Sequence, residues 1–177
     1  MEIKILDKTF IPYISKEELF DAINKIATEI NKAYENKNPL FIGVLNGSFM
    51  FCSDLMKAIT IKSSISFVKM ASYEGTTSTG NVQELVGLSE AIENRHVIIL
   101  EDIVDTGNTL EKLIQLFQSK KPASLKIATL LYKPEAYKKP YPIDYIGIEI
   151  PNKFVVGYGL DYDGYGRNLD SIYVLKE

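Results

Sequence analysis

Ser15 followed three residues later by Glu18 has the pattern of a capping box. Behind it, Leu19, Ala22, Ile23, Ile26, Ala27, Ile30, Ala33 and Tyr34 recur at helical spacing. This predicts a long amphipathic helix running to about Asn36. Pro39 then precedes the apolar run 40–45, bounded by Asn46 and Gly47, which reads as a short strand buried on both faces. A second helix is expected from Ser48 to about Ile59, and alternation over 64–70 predicts another strand. Val97, Ile98, Ile99 and Leu100 form the strongest buried-strand signal. An acidic turn, 101–107, leads from it into a helix with Leu110, Leu113, Ile114 and Phe117 on one face, closed by Pro122. Further strands are expected at 125–131, 144–150 and 172–175. Strands alternating with helices imply an α/β fold, a mostly parallel twisted sheet flanked by helices. No repeat, low-complexity tract or linker interrupts the pattern, so residues 1–177 read as one domain.

The periodicity stops between Ser72 and Asn81. That segment is polar and glycine-bearing, and predicts an exposed mobile loop or hairpin tip of the kind that serves as a lid. Composition adds mainly exclusions. With 177 residues and 46% hydrophobic content the chain can bury about 70% of its unfolded surface in one core. A formal net charge of -3 and the lack of any Lys/Arg block argue against nucleic acid or a membrane surface as partner. Cys52 is the single cysteine and lies in an apolar stretch, so it reads as a small buried hydrophobe, and no internal disulfide can form. No apolar run of membrane-spanning length and no leader-like pattern is evident, which makes the cytoplasm the expected location. The sequon at Asn46, Gly47 and Ser48 is then irrelevant. His96 is the one histidine, without cysteine or a second histidine nearby, and fits a core or edge position.

Chemistry concentrates in the turn between the strongest strand and its helix. Ligands of open α/β sheets bind beyond the carboxyl ends of strands. From Asp105 to Thr109 the residues are small and hydroxyl- or amide-bearing, and Gly107 allows close backbone approach at a helix start, which suits a phosphate. Glu101 and Asp102, adjacent carboxylates, could hold Mg2+ or accept from sugar hydroxyls. The same residues could equally be a helix cap and a solvated acidic pair. Two other phosphate motifs fail: there is no G-x-x-x-x-G-K-[ST], and Tyr162 stands where a third glycine would follow Gly157 and Gly159.

The segment from Val97 to Leu110 resembles the signature of type I phosphoribosyltransferases for phosphoribosyl pyrophosphate (PRPP). The segments Leu45-Asn46-Gly47-Ser48-Phe49, Ser72-Tyr73 and Val155 to Tyr162 follow in the order of the hypoxanthine phosphoribosyltransferase family, so the resemblance spans nearly the whole chain. It implies a small hood over the sheet, a mobile lid loop, purine salvage by transfer of 5-phosphoribosyl to hypoxanthine or guanine, and Mg2+ as cofactor. PRPP and a 6-oxopurine are the implied partners, and a homodimer or homotetramer is the implied assembly, with Phe49, Met50 and Phe51 able to serve an interface or a core.

The resemblance also implies roles. Glu101 and Asp102 would orient the ribose hydroxyls and Mg2+, and Asp161 would reach a second Mg2+ and the purine. Asp105 would accept the proton of the purine N7. Thr106, Gly107, Asn108 and Thr109, with Asp105, would hold the 5′-phosphate. Ile103, Phe154 and Val155 would contact the base, and Lys133 would donate to O6, selecting 6-oxo over 6-amino purines. Asn46, Gly47 and Arg167 would hold pyrophosphate, with a cis peptide bond between Leu45 and Asn46, while Ser72 and Tyr73 open the lid. Taken alone, Lys133 could be a surface residue at a strand end, Asp105 a helix cap and Arg167 a surface ion-pair partner.

Three departures from the family pattern stand out. Asn46 and Asn108 occupy places where lysine is frequent, which predicts weaker electrostatic capture of PRPP and pyrophosphate. The glycine-rich run Asp163-Gly164-Tyr165-Gly166 predicts a more mobile approach for Arg167. An alternative of another class is a regulator of the same fold that senses PRPP or nucleotide and acts on nucleic acid, but such a protein should present a basic face. Xanthine is the nearer rival as substrate, because the O6 contact does not read ring position 2.

Overall fold

A computed structural model describes residues 1–70, 84–88 and 90–176. The elements run β1 (Ile3–Ile5), β2 (Lys8–Ile14), α1 (Lys16–Ala33), β3 (Leu40–Val44), α2 (Phe49–Ala58), β4 (Ser64–Met70) and β5 (Glu84–Val86). They continue with β6 (His96–Val104), α3 (Asn108–Ser119), β7 (Ser124–Tyr132), β8 (Tyr145–Glu149), β9 (Val155–Val156) and β10 (Ile172–Leu175). A six-stranded sheet has the order β5-β4-β3-β6-β7-β8, parallel from β4 through β8, with β5 antiparallel at one edge. Helices cover both faces, as the alternation of strand and helix in the sequence requires.

β6 shows how one strand serves two layers. Ile98 and Leu100 pack with Leu19, Ile23, Ile26 and Ile30 of α1 and with Phe51 and Leu55 of α2. Val97 and Ile99, pointing the other way, pack with Leu110, Leu113, Ile114 and Phe117 of α3. α1 opens with the expected capping box: Ser15 Oγ accepts from Glu18 N at 3.2 Å, and Glu18 Oε2 accepts from Ser15 N at 2.8 Å. It ends at Ala33, earlier than Asn36, because Tyr34 leaves helical geometry and closes the last turn. Cys52 and Phe51 are buried, so of the three residues considered for an interface Phe51 belongs to the core. His96 takes an edge position at the start of β6, with Nδ1 at 2.8 Å from Ser124 Oγ.

The hood is a second, four-stranded antiparallel sheet, β1-β2-β10-β9, built from both chain ends. β1, β2 and β9 carry no periodic signal, and Pro12 inside β2 argues against a strand. The pairing accommodates Pro12 opposite Tyr173, beside a register shift at Ile172/Tyr173. β6 is also longer than expected. Residues 101–104 continue the strand rather than begin the turn, because β7 supplies a parallel ladder as far as Val104 opposite Tyr132. No helix of the described residues is long and apolar enough to cross a membrane. Ser72 and Tyr73, with the expected lid at 72–81, lie outside the described residues.

Candidate active site

The site grows from strand register. Leu40 pairs with Val97 and Gly43 with Leu100, so the carboxyl end of β3 stops beside residue 101 while β6 runs on. The turn after β3, with its cis Leu45–Asn46 peptide, is thereby set against the acidic pair. A Cβ on Gly47 would fall 1.6 Å from Asp102 Oδ2, so any larger residue there would have to displace that carboxylate. Asp102 is steadied from its other oxygen, which accepts from Ile103 N at 2.8 Å. On the far side of Gly47, a Cβ on Gly159 would meet the Gly47 carbonyl oxygen at 2.0 Å. Three segments distant in sequence therefore touch at two glycines.

Past Val104 the chain turns into α3. Gly107 stands at the helix start with φ +79°, and the first intrahelical bond is Glu111 N to Gly107 O at 2.9 Å. The earlier amides of the helix remain available, with the positive end of its dipole behind them. Gly107 is fixed by packing as well as by φ, because a Cβ would meet the Tyr137 ring at 2.4 Å. A cleft of about 250 Å³ is lined by Val44 and residues 101–110. Thr106, Asn108 and Thr109 are exposed on it, which suits a bound phosphate.

Asp105 is not the helix cap. Its Oδ2 lies 2.6 Å from Lys133 Nζ. Lys133 follows β7, and its backbone N donates to Val104 O at 3.0 Å, which delivers the side chain to the residue after Val104. Nor is Lys133 a surface residue: its side chain is 8% exposed, while Asp105 faces the cleft at 43%. A long contact of 3.5 Å to Asn152 Oδ1 completes the surroundings of the ammonium.

Burial, and then mutual repulsion, push the Glu101 carboxyl well above the ordinary range. Burial likewise raises Asp102 to about 6, against the hydrogen bond from Ile103 N and the positive charge of Arg167. The pair is costly to ionise without a cation. Among the described residues no cluster of three or more acidic, histidine or cysteine side chains is poised around a metal. Mg2+ needs only one or two carboxylates when substrate oxygens and water complete its shell, so the adjacent pair fits an ion shared with a phosphorylated ligand.

The last segment comes from the hood and meets the Gly47 turn at Gly159. Arg167 Nη1 donates to Gly159 O at 2.7 Å and Nη2 pairs with Asp161 Oδ1 at 2.7 Å. Asp161 Oδ2 accepts from Gly164 N at 2.7 Å, and Tyr162 and Tyr165 exchange backbone hydrogen bonds. The glycine-rich run forms a hydrogen-bonded turn with Gly164 and Gly166 at positive φ. Phe154 is 46% exposed beside Phe10 and Tyr162, with ring centroids at 6.2 and 5.9 Å, a face open to a planar ligand. Val155 is buried in β9, and Ile103 is half-buried on β6. Tyr137 behind Gly107, and Asp54 with Tyr158 behind Gly159, support these turns without any mark in the sequence beyond the Gly-Tyr-Gly run.

Known proteins agree with this architecture. The phosphoribosyl transferase domain matches residues 14–163. A hypoxanthine-guanine phosphoribosyltransferase of Streptococcus pneumoniae is 43% identical over 165 residues, covering 93% of this chain and 92% of that one. The Staphylococcus aureus protein of the same name is 44% identical over 164 residues, covering 92% of each. A crystal structure of a hypoxanthine phosphoribosyltransferase from Staphylococcus aureus superposes with a TM-score of 0.88 at 43% identity, covering 94% of this chain and 91% of that one. Sequence and fold together make this chain a member of the phosphoribosyltransferase family, on its hypoxanthine-guanine phosphoribosyltransferase branch.

Proposed function

We propose that the chain salvages purines by moving 5-phosphoribosyl from PRPP to hypoxanthine or guanine, releasing pyrophosphate. The observation that carries the choice of base is the pair of Asp105 and Lys133 at 2.6 Å on the cleft. A 6-oxopurine protonated at N7 presents an acceptor, O6, next to a donor, N7–H. Lys133 donates to the first and Asp105 accepts from the second, so the base replaces one ion pair with two complementary contacts. Adenine offers a donor at position 6 and meets the Lys133 donor unfavourably.

Transfer breaks the bond between C1 of the ribose and pyrophosphate and forms a bond from C1 to a purine nitrogen, while the base's proton passes to Asp105. Glu101 and Asp102 orient the ribose hydroxyls, and with Asp161 are the carboxylates suited to Mg2+, which when bound offsets charge on the leaving pyrophosphate. The amides at 106–109 with the side chains of Thr106, Asn108 and Thr109 hold the 5′-phosphate. Asn46, Gly47 and Arg167 hold pyrophosphate. Ile103, Phe154 and Val155 hold the purine. A homodimer or homotetramer is supported by exposed Phe49 and Phe67, at 43% and 36%.

The test is a rate comparison with Mg2+, PRPP and each of hypoxanthine, guanine, xanthine and adenine, for wild type and Asp105→Asn. Nucleotide should form from hypoxanthine and guanine and not from adenine, and the variant should lose about 10²- to 10⁴-fold in kcat. Equal use of adenine, or an undiminished variant, would overturn the roles given to Lys133 and Asp105.

A further inference from the structure

Two side chains far apart in sequence join the turn carrying Gly47 to the arm carrying Arg167. Asp54 lies on α2, the helix entered directly from that turn. Tyr158 lies between Gly157 and Gly159, is 3% exposed, and holds φ +49°, which a tyrosine adopts only where its surroundings hold it. Its hydroxyl donates to Asp54 Oδ2, while Asp54 Oδ1 accepts from Lys57 Nζ at 2.7 Å. Around Tyr158 the arm is doubly tied: Tyr158 N donates to Leu169 O at 2.8 Å and Gly159 N donates to Arg167 O at 3.0 Å. The Gly159 carbonyl then receives the Arg167 guanidinium at 2.7 Å, and a Cβ on Gly159 would strike the Gly47 carbonyl.

One path of short contacts therefore runs from α2 through the Tyr158 ring to the guanidinium. We propose that Tyr158 and Asp54 are a positioning pair that sets the gap between the Gly47 turn and Arg167, and so determines the grip on pyrophosphate without touching it. This rests on the reading of Gly47 and Arg167 as pyrophosphate ligands. Burial and the bond to Asp54 push the Tyr158 hydroxyl up, so it stays a donor. Burial opposes the charge of Asp54, but the hydrogen bonds from Lys57 and Tyr158 outweigh it and hold the carboxyl below its usual value, so it stays an acceptor. The link is a fixed strut across the physiological pH range.

Tyr158→Phe keeps the ring and removes the bond, Asp54→Ala cuts it from the other side, and Asp54→Asn restores an acceptor oxygen. Michaelis constants would be measured for PRPP and hypoxanthine forward and for pyrophosphate in reverse, with inosine monophosphate affinity in parallel. Tyr158→Phe and Asp54→Ala should each raise the constants for PRPP and pyrophosphate about 10-fold, as a misplacement of under 1 Å implies, and leave hypoxanthine and nucleotide binding unchanged. Asp54→Asn should recover most of the loss, and Tyr158→Phe with Asp54→Ala should be no worse than either alone. Equal losses for every ligand, or none, would reduce the pair to ordinary packing and overturn the proposal. Arg167→Gln separates the premise from the inference. If it leaves pyrophosphate untouched, the assignment of the ligands fails first and takes the strut's role with it.

Discussion

The sheet side and the hood side of the proposed site are built on opposite plans. Residues 101–109 extend from the central strand of a parallel sheet, where the Val97 to Leu100 segment is fully buried and both faces are covered by helices. The hood, which carries Phe154 of the proposed purine contacts, is small: Phe154 is 46% exposed there and strands from both chain ends meet. Charge needs fixed geometry, because electrostatic stabilisation falls when groups must reorganise. A planar apolar base needs a face and two directed hydrogen bonds, and tolerates some play. Perturbing the first region should therefore cost rate, and perturbing the second should cost base affinity.

Gly47→Ala tests the rigid side most sharply. Its Cβ would lie 1.6 Å from Asp102 Oδ2, and the opposing turn is blocked by Gly159 against the Gly47 carbonyl, so the carboxylate must move. A displacement near 1 Å should lower kcat about 100-fold, with hypoxanthine binding largely kept. A variant of normal kcat would mean that the acidic pair tolerates displacement and would break the contrast. Phe154→Ala is the matched test of the hood. Losing one stacking face should raise the Michaelis constant for hypoxanthine about 10-fold, since base stacking on an aromatic contributes about 1–3 kcal/mol. Little change in kcat or thermal stability is expected, because the ring is half in solvent. A fall in kcat without a change in that constant would place Phe154 on the rate-determining side.

The same division separates what sequence reading reaches from what it misses. The turn proposed to hold phosphate is contiguous, so Asp105, Gly107 and Thr109 are legible as a group and their cradle follows from local rules. α1 and α3 are legible because their apolar stripes face one layer each. The hood is legible only through the family resemblance and the strand at 172–175, since its other strands are short, Pro12 interrupts one of them, and partners such as Tyr173 lie at the other chain end. Lys133 beside Asp105 depends on the register of β6 against β7, and the bond of Tyr158 to Asp54 spans 104 positions. No window of the sequence contains either pair. The length of β6 was also hidden, because an acidic pair looks like a turn until a parallel neighbour supplies its ladder.

The acidic pair gives the rigid side a pH signature. Asp102, raised by burial to about 6, stands above its unfolded value of 3.8, so folding favours its uncharged form. Its contribution to stability is then full below the unfolded value and is lost as pH rises through about 6. Glu101 is raised in the same direction. A divalent cation reverses the cost where the carboxylates are charged. Millimolar Mg2+ should raise Tm at pH 7.5 by about 2–4 °C, corresponding to about 1 kcal/mol, and by much less at pH 5. An equal rise at both values would place the ion elsewhere. Asp102→Asn should abolish most of the rise at pH 7.5.

The smallest effect concerns how strongly the rigid side attracts its anions. Asn46 is exposed at the turn and Asn108 is exposed at the start of α3, so two positions proposed to meet the anions carry no charge. Asn46→Lys would add one beside the cis Leu45–Asn46 peptide, where the Asn46 carbonyl accepts from Phe49 N at 3.3 Å and Ser48 Oγ donates to Val44 O at 2.7 Å, so the turn is held without the Asn46 side chain. A solvated charge near a phosphate contributes about 0.2–1 kcal/mol, so the Michaelis constant for PRPP should fall by a factor of about 1.4 to 5 at low salt. The gain should shrink as ionic strength rises, and the constant for hypoxanthine should not move. A shift that survives high salt would mean that the lysine makes a desolvated contact. An unchanged constant would mean that the backbone amides and Arg167 already saturate the anion, leaving the charge at position 46 irrelevant to capture.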